Sequence, residues 1–138
     1  MASAMTKPVP TPFCRRDTAL CLGNANYPDD AALKNPVNDA SDLAQKLSAL
    51  GFECRLCTDE TFKGMEKALQ EFTSDLLEAE VGLFFFAGHG MQIDGGNYLA
   101  GTDTDFETEF EAKYSSLRLN KVIDVLDRGK NNTSIIIL

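Results

Sequence analysis

Apolar positions along this chain switch repeatedly between unbroken short runs and helical spacing. The clearest run is Val81 to Phe86, which predicts a strand buried on both faces. Shorter runs predict a first strand over Asp17 to Leu22, a second over Phe52 to Cys57, and a last, also buried, over Ser134 to Leu138. Between them, Val37, Ala40, Leu43, Ala44, Leu47 and Leu50 keep the spacing of one helical face. That helix carries its own punctuation: Asn35 can cap it, Pro36 suits the first helical position, and Gly51 suits the residue past its end. A second helix is expected from about Thr61 to Glu78, with Met65, Leu69, Phe72 and Leu76 inward. A third carries Leu119, Val122, Ile123 and Leu126 and breaks at Gly129. Met91–Ile93 and Tyr98–Ala100, flanking Asp94-Gly95-Gly96-Asn97, read as a small hairpin. Thr102 to Ser116 is polar and acidic, hence a loop. Strands alternating with helices imply right-handed crossovers, so the expected class is α/β, a mainly parallel sheet with helices on both faces.

Composition narrows the functional classes. The 138 residues suit one domain, and 43% apolar with 25% charged is ordinary for a globular chain. Proline-bearing residues 1–16 are expected to form an extended or disordered arm, and 17–138 the folded domain. A net charge of −8 argues against a nucleic-acid groove, which needs a positive field, so no nucleic-acid partner is expected. No apolar run approaches a membrane span and no signal-peptide core is visible, so no membrane contact and a cytoplasmic location are expected. Cys14, Cys21, Cys54 and Cys57 do not make a disulfide framework in such a chain. Cys54-Arg55-Leu56-Cys57 lies on a predicted strand, where residues three apart face opposite ways and cannot clasp one metal.

Candidate chemistry gathers at strand ends. In open parallel sheets, sites lie beyond the carboxyl ends of strands, and the run at 81–86 leads into Gly88-His89-Gly90, which holds the only histidine. An imidazole there is a candidate general acid–base. Gly23-Asn24-Ala25-Asn26, after the first strand, is a rival phosphate loop, but it lacks both Gly-x-Gly-x-x-Gly and a Walker lysine. Asp103, Asp105, Glu107, Glu109 and Glu111 lack the regular spacing and glycine turn of a calcium loop, so no required metal or other cofactor is expected. Asp39 sits near a helix start, which the helix dipole alone favours.

Several phrases in one order resemble the caspase-like cysteine peptidases, particularly their metacaspase, paracaspase and orthocaspase branches. They are Gly23-Asn24 with Tyr27, Leu33-Lys34-Asn35-Pro36-Val37-Asn38-Asp39-Ala40, Gly51-Phe52, Phe85-Phe86-Ala87-Gly88-His89-Gly90 and Asn97-Tyr98-Leu99. The resemblance covers roughly residues 17 to 138 and implies the large-subunit (p20-like) portion, incomplete, with four main strands and a hairpin. It implies a Cys-His dyad in which His89 is the catalytic histidine and the Gly90 backbone N–H an oxyanion donor. Glycine at 90 is expected to allow unusual backbone angles there. Asp39 resembles part of an acidic S1 pocket, where a recessed carboxylate takes arginine or lysine in bidentate fashion. The expected substrate is therefore a peptide or protein with a basic P1 residue. The family's nucleophile follows the fourth strand in an Asp-x-Cys phrase, so it is expected outside this chain. A remaining p10-like segment or a second chain is expected to pair with the strand at 134–138. The alternative is a non-catalytic caspase-like module acting in scaffolding or regulation.

Overall fold

The computed structural model describes residues 16–138; the expected arm at 1–16, with Cys14, lies outside the described residues except for Arg16. In chain order the elements are β1 (Thr18–Gly23), a 3-10 turn (Asp29–Ala31), α1 (Pro36–Ala49), β2 (Glu53–Thr58), α2 (Phe62–Leu76) and β3 (Val81–Ala87). There follow β4 (Gly90–Ile93), β5 (Gly96–Ala100), α3 (Glu109–Tyr114), β6 (Ser116–Arg118), α4 (Leu119–Gly129) and β7 (Thr133–Ile137). The main sheet has four parallel strands in the order β2-β1-β3-β7, with Thr18 level with Glu53 and Gly82, and Val81 level with Thr133. A small antiparallel sheet, β4-β5-β6, stands beyond it. Among the described residues no helix is long and apolar enough to cross a membrane.

The period-two alternation of the strands sorts the core into two layers. Ala19, Cys21 and Leu83 face α1 and pack on Ala40, Ala44 and Leu47. Leu20, Leu22, Phe84 and Phe86 face the other way, onto Met65, Leu69, Phe72 and Leu76 of α2 and Val122 and Leu126 of α4. Cys54 joins the first layer and Cys57 the second, so the C-x-x-C pair is split by the sheet as its strand position requires.

Several local expectations are corrected. Asn35 holds the cap position of α1, but its backbone is helical and its side chain makes no capping bond; Thr61 does cap α2, accepting from Gly64 N at 3.1 Å. Leu50 is 75% exposed because it is already the C-cap, past the packed stripe. Ile123 is also exposed, since α4 buries Val122 and Leu126 and turns its neighbour outward. The supposed loop at 102–116 contains α3, capped by Thr108, and runs into β6; α3 buries only Ala112, so no apolar period announces it. The last strand is not buried: all five residues of β7 are exposed, because it pairs with β3 on one edge only among the described residues.

The carboxyl edge of β1 is held tightly. Asn24 is fully buried, donates its main-chain N–H to Ala87 O, and uses its side chain to accept from Glu60 N and donate to Glu60 O and Ala100 O. Next to it, Gly23 lies so close to α1 that a Cβ would overlap Pro36 O and approach the Ala40 side chain. Because the obstacle is backbone, Gly23→Ala should destabilise the fold by about 1–3 kcal/mol, the usual cost of overpacking. The check is the denaturant midpoint, which should fall with an unchanged slope.

Candidate active site

Beyond Ala87 the chain passes through Gly88 and His89 before β4 begins. Gly88 has no room for a side chain, since a Cβ would come within 2.5 Å of Tyr27 Oη and 2.7 Å of the Phe86 ring. His89 is half-buried, and its Nε2 lies 2.6 Å from Ala31 O in the 3-10 turn. A carbonyl oxygen only accepts, so Nε2 carries the proton, and the neutral ring keeps its free lone pair on Nδ1. The imidazole packs between two rings: Tyr27, with centroids 4.5 Å apart, and Phe106, edge-on at 6.0 Å.

The loop that presents Ala31 is braced by Asp59. One carboxylate oxygen, Asp59 Oδ1, accepts from Ala25 N at 2.8 Å and Asn26 N at 2.9 Å, while Asp59 N donates to Gly23 O. Leu33 N and Tyr27 N both return to Ala25 O. The main-chain amides that a phosphate would need are therefore already bound to a carboxylate, which removes the nucleotide-loop reading of Gly23-Asn24-Ala25-Asn26. Asp29 adopts a left-handed φ of 58° as the chain enters the turn that carries Ala31.

Gly90 departs from its expectation. It opens β4 opposite Leu99 without a positive φ, and a Cβ would meet only Tyr98 O at 3.6 Å, so glycine is not sterically required. The strand pairing still presents its N–H. Ala100 N donates to His89 O, so 89 and 100 share a hydrogen-bonded rung, and the adjacent pair 90–99 is of the non-hydrogen-bonded kind. The Gly90 N–H accordingly points away from β5, and the residue is exposed.

Asp39 stands in the first turn of α1, at the same sheet edge as His89, but it is exposed rather than recessed. It lies roughly a quarter turn around the helix from the stripe made by Pro36, Ala40, Ala44 and Leu47. Its carboxylate has no hydrogen bond or ion pair among the described residues. The acidic loop is partly used internally: Asp103 Oδ1 accepts from Phe62 N and Asp105 Oδ1 from Glu107 N. No group of three or more metal-ligating side chains forms among the described residues.

The structure thus brings His89, the Gly90 N–H and Asp39 to one edge. It adds Tyr27, Ala31, Asp59 and Phe106, which the sequence did not single out for the site's chemistry. Ala31 acts through its carbonyl, which no side-chain pattern reveals. A lone tyrosine in a polar loop was the available signal for Tyr27. The described cysteines sit elsewhere. Cys21 is fully buried among α1-facing residues, and burial chiefly, with Cys54 and Cys57 nearby, pushes its thiol up to about 12. Burial likewise raises the Cys57 thiol.

Comparison with known proteins agrees with this geometry. The profile of the caspase domain matches residues 16–138. Mucosa-associated lymphoid tissue lymphoma translocation protein 1 of Homo sapiens is 33% identical over 92 residues, covering 67% of this chain and 11% of that protein. Its Mus musculus homolog is 32% identical over the same shares. The chain therefore spans about a tenth of the length of these relatives. The crystal structure of the Drosophila initiator caspase Dronc superposes with a TM-score of 0.62 at 17% identity, over 80% of this chain and 41% of that one, a likeness of fold.

The raised Cys21 thiol has a consequence for stability. Between about pH 9 and 12 the unfolded chain releases this proton while the native one retains it, so the stabilisation present below pH 9 is lost as pH rises through the folded value. Denaturant unfolding should show stability declining across that window, and Cys21→Ala should flatten the decline. An unchanged slope in the variant would assign the alkaline loss to other groups.

Proposed function

The chain belongs to the caspase-domain family, and from that premise we propose that it supplies the histidine-bearing part of a cysteine-type endopeptidase cleaving after arginine or lysine. The nucleophilic cysteine, on this reading, is carried by residues outside these 138. The observation that carries the proposal is the His89 ring at the sheet's carboxyl edge, its Nε2 tied to Ala31 O, which leaves the lone pair on Nδ1.

The chemistry follows from that arrangement. Nδ1 takes the thiol proton, and the thiolate sulfur bonds to the scissile carbonyl carbon. The carbonyl electrons move onto oxygen, where the Gly90 N–H stabilises the developing charge. When the tetrahedral species collapses, the C–N bond breaks and the imidazolium returns its proton to the leaving amine. Water then attacks the acyl-enzyme with the same nitrogen as base, freeing acid and thiol. Ala31 O accepts from Nε2 throughout, so the ring does not rotate as its charge changes.

Asp39 is assigned the basic side chain of the substrate. Its exposure, and the lack of a partner for it among the described residues, support this, because a guanidinium arriving there meets a solvated carboxylate. The outer edge of β7 is assigned to a further strand, from a p10-like segment or a second chain. Ile135, Ile136 and Ile137 are 36–39% exposed, and an apolar strand edge left open invites pairing.

The test uses the intact protein and fluorogenic peptides ending in Arg, Lys or Asp. Cleavage is expected after Arg and Lys only. His89→Ala should lower kcat/KM by about a thousandfold or more. Asp39→Asn should cost about 10–100-fold with Arg-ended peptides, the loss of one charge-assisted pair. Activity surviving His89→Ala, or a preference for Asp-ended peptides, would refute the mechanism. Absence of any cleavage would transfer the domain to a scaffolding role. Separately, hydrogen exchange on the intact protein should show the β7 amides that face away from β3 to be protected; rapid exchange there would refute the added strand.

A further inference from the structure

Three contacts converge on His89 from a single stretch, Tyr27 to Ala31. The first is a break in an otherwise regular rung. Residues facing across a hydrogen-bonded position of an antiparallel pair normally exchange two direct bonds, each N–H reaching the other's carbonyl. At 89 and 100 only one is direct, from Ala100 N to His89 O at 2.9 Å. The other is spliced through a hydroxyl: His89 N donates to Tyr27 Oη at 3.0 Å, and Tyr27 Oη donates to Ala100 O at 2.9 Å. The second contact is ring against ring, at 4.5 Å with a 56° tilt. The third is the bond from His89 Nε2 to Ala31 O, four residues further along the same loop.

We propose that Tyr27 is the positioning residue of this site, its hydroxyl acting as a spacer that sets where the His89 imidazole and the Gly90 N–H stand. The hydroxyl stands between His89 N and Ala100 O, keeping that donor one atom further from its acceptor than a direct bond would. Without it, His89 N either closes directly on Ala100 O, drawing His89 toward β5 and away from Ala31, or is left without a partner while Ala100 O keeps its bond from Asn24 Nδ2. Both outcomes loosen the Nε2 tether. Tyr27 is only 2% exposed, and burial pushes its phenol above the ordinary value, so the hydroxyl keeps the proton it donates. Gly88 fits the same purpose, since a side chain there would occupy the space of the hydroxyl. For its effect on turnover the inference rests on the peptidase reading; the effect on the ring does not.

The experiment is 15N NMR of the histidine ring in the intact protein, the His89 signals being identified by their loss in His89→Ala. The wild-type ring should show one tautomer, protonated at Nε2. Tyr27→Phe keeps the aromatic ring and removes the spacer. It should give a mixture of tautomers and a fall in kcat of about 10–100-fold, with KM for an Arg-ended peptide changed less than about twofold. A folded Tyr27→Phe protein with unchanged ring signals overturns the proposal. If that variant does not fold, Gly88→Ala displaces the hydroxyl from the opposite side and must move the same signals; unmoved signals again overturn it. A wild-type protein that shows the single tautomer but no cleavage would refute the peptidase reading while leaving the ring result to decide the positioning.

Discussion

The carbonyl of Ala100 accepts two hydrogen bonds at once, from Asn24 Nδ2 at 3.1 Å and Tyr27 Oη at 2.9 Å. Both donors leave the exit of β1, and the acceptor is the last residue of β5, in the smaller sheet. With the Asn24 main-chain bond to Ala87 O, this junction fixes three strand ends to one another. The partners are buried, so losing any one leaves a polar group unsatisfied in an apolar setting, which costs about 1–3 kcal/mol. The geometry of the candidate site depends on that junction. His89 lies between the tethered ends, and the loop bearing Ala31 hangs from the same anchor.

The Asp59 brace belongs to the same construction. Its carboxylate satisfies two adjacent main-chain amides that would otherwise face solvent at the exit of β1. An anion-seeking pair of N–H groups is a common ligand site in α/β folds. Here the protein supplies its own anion, and the loop becomes a rigid strut rather than a binding element. Rigidity is what a carbonyl 2.6 Å from an imidazole needs if that contact is to persist through a change of charge.

Much of the architecture was legible in the sequence because it is written in periodicity. The strands at 18–23 and 81–87, the stripe of α2, the hairpin around Asp94–Asn97, whose turn is tighter than expected and confined to Asp94-Gly95, and the split Cys54–Cys57 pair all follow from spacing and turn chemistry. The histidine at a strand exit was equally visible. What escaped had no period or no side chain to betray it. α3 buries one residue, β6 is three residues long, and β7 is exposed although its sequence is as apolar as a core strand. The exposure of Asp39 depends on which face α1 turns to the sheet, and a helix start alone does not reveal that. Tyr27 and Ala31 matter through one hydroxyl and one main-chain oxygen, so residue type carries little of the signal.

The partner of the imidazole being a peptide oxygen has a genetic corollary. A carboxylate in that place can be deleted by one codon change, whereas the oxygen at position 31 belongs to whatever amino acid is encoded there. Saturation mutagenesis would therefore register position 31 only through side-chain size and loop shape, and would overlook its electrostatic contribution. Chemical synthesis that exchanges the amide following residue 31 for an ester weakens that oxygen as an acceptor, and so reaches a determinant that heredity can move but cannot erase.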